Sequence, residues 1–223
     1  MKTFSSLTKI AVLGVSVFGL CQLHVRALPL PAGGGLYPVP IEPDPVGGTL
    51  LASTGPVPFA AATFSGTLTS QVFNNDLSNP FGLSALTFTY QLTCLTGPDG
   101  ISELSLANFT GFLTDASYQS PAGFTASGLP PTSVGRQIDG SVVDFTFQVS
   151  PIGPGTLLPG ETSALLVIQA SASVFAPGIA SVIDGSTASP ILTLEPSIVP
   201  EPGTIGLVVA GLGILGLALR RKN

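Results

Sequence analysis

The chain has 223 residues, of which 44% are hydrophobic and only 9% charged, and its 7 basic and 12 acidic side chains give a formal net charge of −5. Soluble domains usually carry about 25% charged residues, so this chain must depend on hydroxyl and amide groups for its solubility. The acidic balance excludes the basic surface of a nucleic-acid-binding protein. Thirteen Phe residues can build a core, which excludes a disordered acidic chain.

Residues 1–27 have the parts of a secretory signal peptide. Two lysines form a positive start, and the apolar segment Ile10 to Leu20 is too short to span a bilayer comfortably. The small residues around Ala27 predict cleavage after that position, following export by the Sec machinery. Cys21 leaves a lipoprotein signal as an alternative, although Leu20 precedes it where Gly, Ala or Ser is expected.

A second apolar segment, Pro202 to Leu219, carries no charge and is followed by Arg220, Arg221 and Lys222. Eighteen helical residues reach about 27 Å, enough for a thin hydrocarbon core, so we predict a transmembrane helix over residues 203–219. The basic stop marks the cytoplasmic end of this helix. The preceding chain is then exported and initially anchored in the inner membrane, in agreement with the signal peptide.

The last 25 residues, 199–223, combine three features in order. Val199, Pro200, Glu201 and Pro202 precede the apolar helix, and the basic residues follow it. Two prolines flanking Glu201 cannot continue the helix, so this segment stays extended at the membrane surface. The arrangement resembles the PEP-CTERM sorting signal of exported proteins in exopolysaccharide-producing Gram-negative bacteria. The resemblance implies recognition by an exosortase, a membrane transpeptidase, with processing near the Pro-Glu-Pro triplet.

Between the two ends, composition predicts an arm and one domain. Residues 28–58 contain eight prolines and a Gly triplet, and we expect them to form an extended linker or loosely attached arm. Residues 59–198 have the size of a single domain.

Period-two alternation recurs through this domain, and no window shows a helical stripe. The apolar faces of the predicted strands are Phe64, Leu68 and Val72; Leu86, Phe88, Tyr90, Leu92 and Cys94; Leu104 and Leu106; and Val143, Phe145, Phe147 and Val149. Residues 164–174 are apolar on one face and mixed on the other, which suggests a more central strand.

Turn residues separate these strands. Residues 96–100 predict a hairpin turn between the second and third strands, and Asp139-Gly140 and Asp184-Gly185 mark later turns. Short alternating strands with Gly and Pro turns predict an all-β fold, a single β-sandwich that resembles a jelly roll.

The residues that remain after signal removal offer little chemistry. Residues 28–199 contain no His and no Lys, with Arg136 as the only basic residue and Cys94 as the only cysteine. A Ser-His-Asp triad, a His-based zinc site and a Lys Schiff base are therefore absent, and we expect a non-enzymatic protein without cofactor or metal. Cys94 is expected to be a buried thiol. Paired carboxylates could still support glycoside hydrolysis, the candidates being Asp99, Glu103, Asp115, Asp139 and Asp144.

A surface or extracellular-matrix protein of a biofilm, associated with exopolysaccharide, is the function that these features favour. The alternative is a carbohydrate- or ice-binding module of adhesin type, which needs regularly spaced Thr on adjacent strands. Such an array requires the first two strands to pair and would consist of Thr63, Thr67, Thr69, Thr87, Thr89 and Thr93. Asn74, Asp76 and Ser78 have the spacing of a calcium loop, but lack its Gly and its final Glu, so an Asx turn is favoured.

Overall fold

A computed structural model describes residues 29–98, 100–119, 128–148 and 157–198. These residues form strands, turns and irregular segments, and none of them belongs to a helix long and apolar enough to cross a membrane. The predicted signal peptide 1–27 and the transmembrane helix 203–219 lie outside the described ranges.

Twelve strands follow one another in the described part of the chain. They are β1 (Gly35–Leu36), β2 (Thr49–Ser53), β3 (Val57–Ala60), β4 (Ser65–Asn74), β5 (Leu86–Thr96), β6 (Glu103–Leu106), β7 (Thr114–Gln119), β8 (Ser133–Arg136), β9 (Val143–Thr146), β10 (Leu165–Ala170), β11 (Val174–Asp184) and β12 (Ser186–Ser197).

The strands form two antiparallel sheets that pack as a sandwich. The first sheet has the order β1-β8-β9-β6-β11-β12, and the second has the order β2-β4-β5-β10-β7, with β3 also paired to β4. The core between them contains every residue of the predicted apolar faces that the structure describes, since those side chains are at most 3% exposed. The all-β sandwich prediction is therefore confirmed. Val149 lies outside the described residues.

Strand β10 confirms the expectation of a central strand in residues 164–174. It lies between β5 and β7 with both neighbours antiparallel, and Leu166, Ile168 and Ala170 face the core. The strand ends at Ala170, and Val174 begins β11 in the other sheet.

The Pro-rich segment 28–58 differs from the expected loose arm, because its described part is built into the sandwich. It contributes β1, β2 and the start of β3, and Leu30 and Val39 are buried in the core. Leu30 N also donates a hydrogen bond to Thr114 O at 2.7 Å. Proline is compatible with strand edges, and the apolar residues between the prolines supply the core contacts.

Residues 96–100 do not form the predicted hairpin turn. Strand β5 belongs to the second sheet and β6 to the first, so this segment crosses between the sheets. Gly97 has a φ of +138°, and a Cβ there would lie 2.2 Å from Thr63 O, so close backbone approach explains this glycine. Asp139-Gly140 and Asp184-Gly185 do lie in the turns of the β8–β9 and β11–β12 hairpins, as predicted.

Candidate functional site

The predicted sorting residues lie outside the described ranges, but their position relative to the fold is defined. Strand β12 ends at Ser197, and Ile198 is the last described residue before Val199. Val199, Pro200, Glu201, Pro202 and the basic residues 220–222 therefore follow an edge strand of the first sheet with almost no intervening linker. The predicted cleavage residue Ala27 also lies outside the described residues.

The predicted Thr array is present only in part. Strands β4 and β5 do pair, with Thr67 opposite Thr93 and Thr69 opposite Gln91. Thr87 and Thr89 lie on the same face but are buried, whereas Thr63 precedes β4 and hydrogen-bonds Ser186 in the first sheet. The ladder also shifts register between Ser65 and Gly66. The surface is therefore irregular, which counts against an ice-ordering lattice.

A neutral polar surface nevertheless remains at this end of the second sheet. We call it the hydroxyl–amide patch, and it consists of Ser65, Thr67, Thr69, Gln71, Gln91, Thr93, Thr96 and Thr162. Several hydroxyls bind one another, with Ser65 Oγ 2.7 Å from Thr96 Oγ1 and Thr93 Oγ1 3.1 Å from Thr162 Oγ1. The patch contains no charged residue, so it can offer only hydroxyl and amide hydrogen bonds.

Asp76 organises the turn after β4 as a structural Asx turn. Its Oδ1 accepts hydrogen bonds from Val46 N and from Ser78 N and Oγ, and its Oδ2 accepts from Thr87 Oγ1 and Gln169 Nε2. These donors lower the pKa of Asp76 in spite of its burial. The carboxylate is saturated, so the Asx-turn interpretation of Asn74, Asp76 and Ser78 is confirmed.

A second acidic group lies on the same outer face, near the edge strand β7. Segment 38–46 runs alongside β7, because Glu42 N donates to Tyr118 O at 3.1 Å and Tyr118 N donates to Pro40 O at 3.0 Å. We call Glu42, Asp44 and Asp115 the carboxylate cluster. Ser117 Oγ lies 3.4 Å from Asp44 Oδ2. In the described residues, no three His, Cys, Asp or Glu side chains are already arranged to hold a metal ion.

Burial and mutual repulsion change the acidity of this cluster. Burial, a hydrogen bond to Asp44 and the charges of Asp115 and Asp44 raise the pKa of Glu42 to about 8. Burial and the charge of Asp44 raise the pKa of Asp115 to about 7, although Ala116 N opposes this shift. At neutral pH the cluster therefore holds protons or needs a cation.

The glycosidase candidates are not all isolated from one another. Ser105 Oγ lies 3.0 Å from Glu103 Oε1 and 2.6 Å from Asp144 Oδ1, so these two carboxylates share one hydroxyl on the outer face of the first sheet. Burial raises the pKa of Asp144. Asp115 belongs to the carboxylate cluster, Asp139 binds Ser141 in an exposed turn, and Asp99 lies outside the described residues.

Glu195 lines a cleft of about 320 Å³ beside the end of β12. It is 1% exposed, its Oε2 accepts from Asn108 Nδ2 at 2.6 Å, and burial raises its pKa to about 7. Gly178 makes room for it, because a Cβ there would lie 2.0 Å from Glu195 Oε2. The sequence interpretation missed this residue, although Ile191, Thr193 and Glu195 alternate on one face.

Arg136 and Cys94 both have structural positions. The Arg136 guanidinium donates to the carbonyls of Leu30, Phe109, Phe112 and Gly140, at 2.7 to 3.1 Å. The only cation among the described residues is thereby used within the fold and lies away from the carboxylate cluster. Cys94 is a buried free thiol, as predicted, and burial raises its pKa.

Comparison with known proteins assigns the segment after β12. Residues 199–222 match the PEP-CTERM protein-sorting motif. No curated protein and no solved structure shows significant similarity to the chain. The motif implies export, membrane-associated sorting and an exosortase partner. The chain is therefore a β-sandwich protein that carries a PEP-CTERM sorting motif in residues 199–222.

Proposed function

We propose that the chain is a non-enzymatic component of the cell surface or extracellular matrix of an exopolysaccharide-producing Gram-negative bacterium. The Sec machinery exports it, and an exosortase processes it near Val199–Pro202. The observation that carries this proposal is the sorting motif at residues 199–222, which follows strand β12 directly.

Chain length supports a membrane-proximal position before processing. Residues 203–219 hold the chain in the inner membrane, with Arg220, Arg221 and Lys222 on the cytoplasmic side. The five steps from Ile198 to residue 203 span at most about 18 Å. The end of β12 therefore stays near the membrane surface, where a membrane enzyme can reach the extended Pro-Glu-Pro segment.

The residues available for chemistry support a non-enzymatic role. Residues 28–199 have no His or Lys, and Arg136 is committed to four carbonyl groups inside the fold. The pair Glu103 and Asp144 lies on the outward face of a sheet and is bridged by Ser105. A glycosidase needs its two carboxyl groups on opposite sides of a bound sugar, and a shared serine fills that space.

Carbohydrate binding is the second candidate function, and the hydroxyl–amide patch favours it. Its hydroxyl and amide groups form uncharged rows across β4 and β5, with Thr67 opposite Thr93. Such a surface exchanges hydrogen bonds with sugar hydroxyls at little desolvation cost. Binding of purified host exopolysaccharide by the wild type, weakened in the Thr67→Ala/Thr93→Ala double variant, is the expected result for this function.

The sorting proposal is tested by fractionating the native host. The wild-type protein is expected at the cell surface or in the medium, with a mass lowered by loss of both terminal segments. Glu201→Ala is expected to accumulate in the inner membrane with residues 203–222 attached. Glu161→Ala removes an acid within the sandwich and serves as the matched control. Equal distribution and equal mass of Glu201→Ala and wild type would contradict the proposal.

A further inference from the structure

The carboxylate cluster has a feature that ordinary ion pairing does not explain. Asp44 Oδ1, Asp115 Oδ2 and Gln169 Oε1 accept no hydrogen bond from the described residues, and the three side chains are at most 2% exposed. Buried acceptors are nearly always satisfied, and leaving one unsatisfied costs about 1–3 kcal/mol. Three such atoms in one region indicate a missing partner.

Strand register places these acceptors together. Asp115 on β7 lies directly opposite Gln169 on β10, and both point away from the core because their neighbours Ala116 and Ile168 point into it. Asp44 lies above Ser117, two residues along the same face from Asp115, and its charge acts on Asp115. Gln169 Nε2 is held by Asp76 Oδ2 at 3.0 Å, which fixes the amide and leaves its oxygen as the free acceptor.

The missing partner must be positively charged. The three carboxylates interact with one another, and Arg136 is used elsewhere in the fold. A cation from solution is therefore the partner that would satisfy both the orphan oxygens and the accumulated negative charge.

Ligand type selects the ion. Carboxylate and amide oxygens are hard donors, and the site has no nitrogen or sulfur ligand for a transition metal. Ca²⁺ accepts six to eight oxygen ligands in irregular geometry, whereas Mg²⁺ demands a near-ideal octahedron. The three carboxylates do not form a metal centre by themselves, so the amide oxygen and water must complete the shell.

We propose that Asp44, Asp115 and Gln169 bind one calcium ion between segment 38–46 and the outer face of the second sheet, with Glu42 closing over it. The ion fastens the Pro-rich segment 38–46 to strand β7 and links the N-terminal part of the sandwich to its edge. An exported protein meets calcium at the concentrations that extracellular modules bind, with dissociation constants of about 0.1–1 mM.

The test uses the full chain in detergent, freed of metal with a chelator. Equilibrium dialysis against Ca²⁺ is expected to show one ion per chain, and thermal unfolding is expected to rise by about 3 °C or more at saturating Ca²⁺. Asp44→Asn and Asp115→Asn are expected to lower the affinity at least about tenfold. Asp139→Asn removes the same charge from an exposed turn and is expected to bind as the wild type does.

Three results would overturn the proposal. The first is the absence of Ca²⁺ binding by the wild type. The second is equal Ca²⁺ affinity in the wild type and in a folded Asp115→Asn variant, which circular dichroism would verify. The third is an equal response to Mg²⁺ and Ca²⁺, which would contradict the assignment of calcium. If both Asn variants fail to fold, wild-type binding that Glu42→Gln leaves unchanged also contradicts the proposed site.

Discussion

Asp76 and Asp115 are both buried carboxylates beside Gln169, yet their surroundings give them opposite properties. Asp76 accepts five hydrogen bonds and has a lowered pKa, whereas Asp115 has an orphan oxygen, acidic neighbours and a pKa raised to about 7. Burial is the same for both. The difference shows that the number of donors around a buried charge, rather than burial itself, decides whether the charge stabilises the fold.

Loss of the Asp76 carboxylate is the largest expected effect on this comparison. Asp76→Ala leaves the donors of Val46, Ser78, Thr87 and Gln169 without an acceptor, and we expect a loss of about 3–5 kcal/mol in unfolding free energy. Chemical denaturation measures this loss. Asp139 makes the same local turn with Ser141 but is exposed, so Asp139→Ala should cost less than about 1 kcal/mol. Equal losses would break the comparison.

Arg136 provides the second test, because it is a buried cation with all its partners in place. Arg136→Lys replaces a planar fork with three donors, so some of the four carbonyls lose their partner and stability falls by about 2–3 kcal/mol. Trypsin cleavage after residue 136 should be slow in the folded wild type and faster in the variant. Both chains should be cut equally in denaturant, and equal rates in the folded state would contradict this account.

The pH dependence of stability sharpens the comparison in calcium-free solution. Because the folded pKa values of Asp115 and Glu42 are raised to about 7 and about 8, the native state holds more protons than the unfolded state between pH 4 and 8. Stability should therefore fall as pH rises through this window, and Asp115→Asn should lessen the fall. Asp76 acts in the opposite direction at lower pH, since its lowered pKa makes stability fall on acidification. A melting temperature that is constant from pH 5 to 8 would contradict the raised values.

The smallest effect is expected for the partly exposed pair Glu103 and Asp144. Ser105→Ala removes the hydroxyl that both carboxylates contact, but water can replace it on the outer face. We expect a change below about 1 kcal/mol in thermal or chemical unfolding. A loss as large as that of Asp76→Ala would show that this pair is as dependent on donors as the buried carboxylates.

The sequence predicts the strands of the sandwich because alternation reflects a local requirement. Side chains at every second position of β5 face the core, so Phe88, Tyr90 and Leu92 are found there without knowledge of the topology. The sorting motif is also local, since its three parts follow one another in residues 199–222.

The carboxylate cluster could not be predicted in this way. Its residues lie far apart in the chain, and only the pairing of β7 with β10 and the course of segment 38–46 bring them together. Glu42 and Asp44 stand in a Pro-rich stretch without periodicity, which indicates a linker when it is taken alone. The crossover at residues 96–100 was missed for a similar reason, because turn residues do not specify the sheet that the next strand joins.

The central functional claim is that the chain is exported and processed at both ends. Mass spectrometry of the protein isolated from its native host tests it most directly. The account predicts an N-terminus at Leu28 and a C-terminus near Pro200–Pro202, without residues 203–222. An exported population that uniformly retains Arg220, Arg221 and Lys222 would contradict exosortase processing and leave residues 203–219 as a simple membrane anchor.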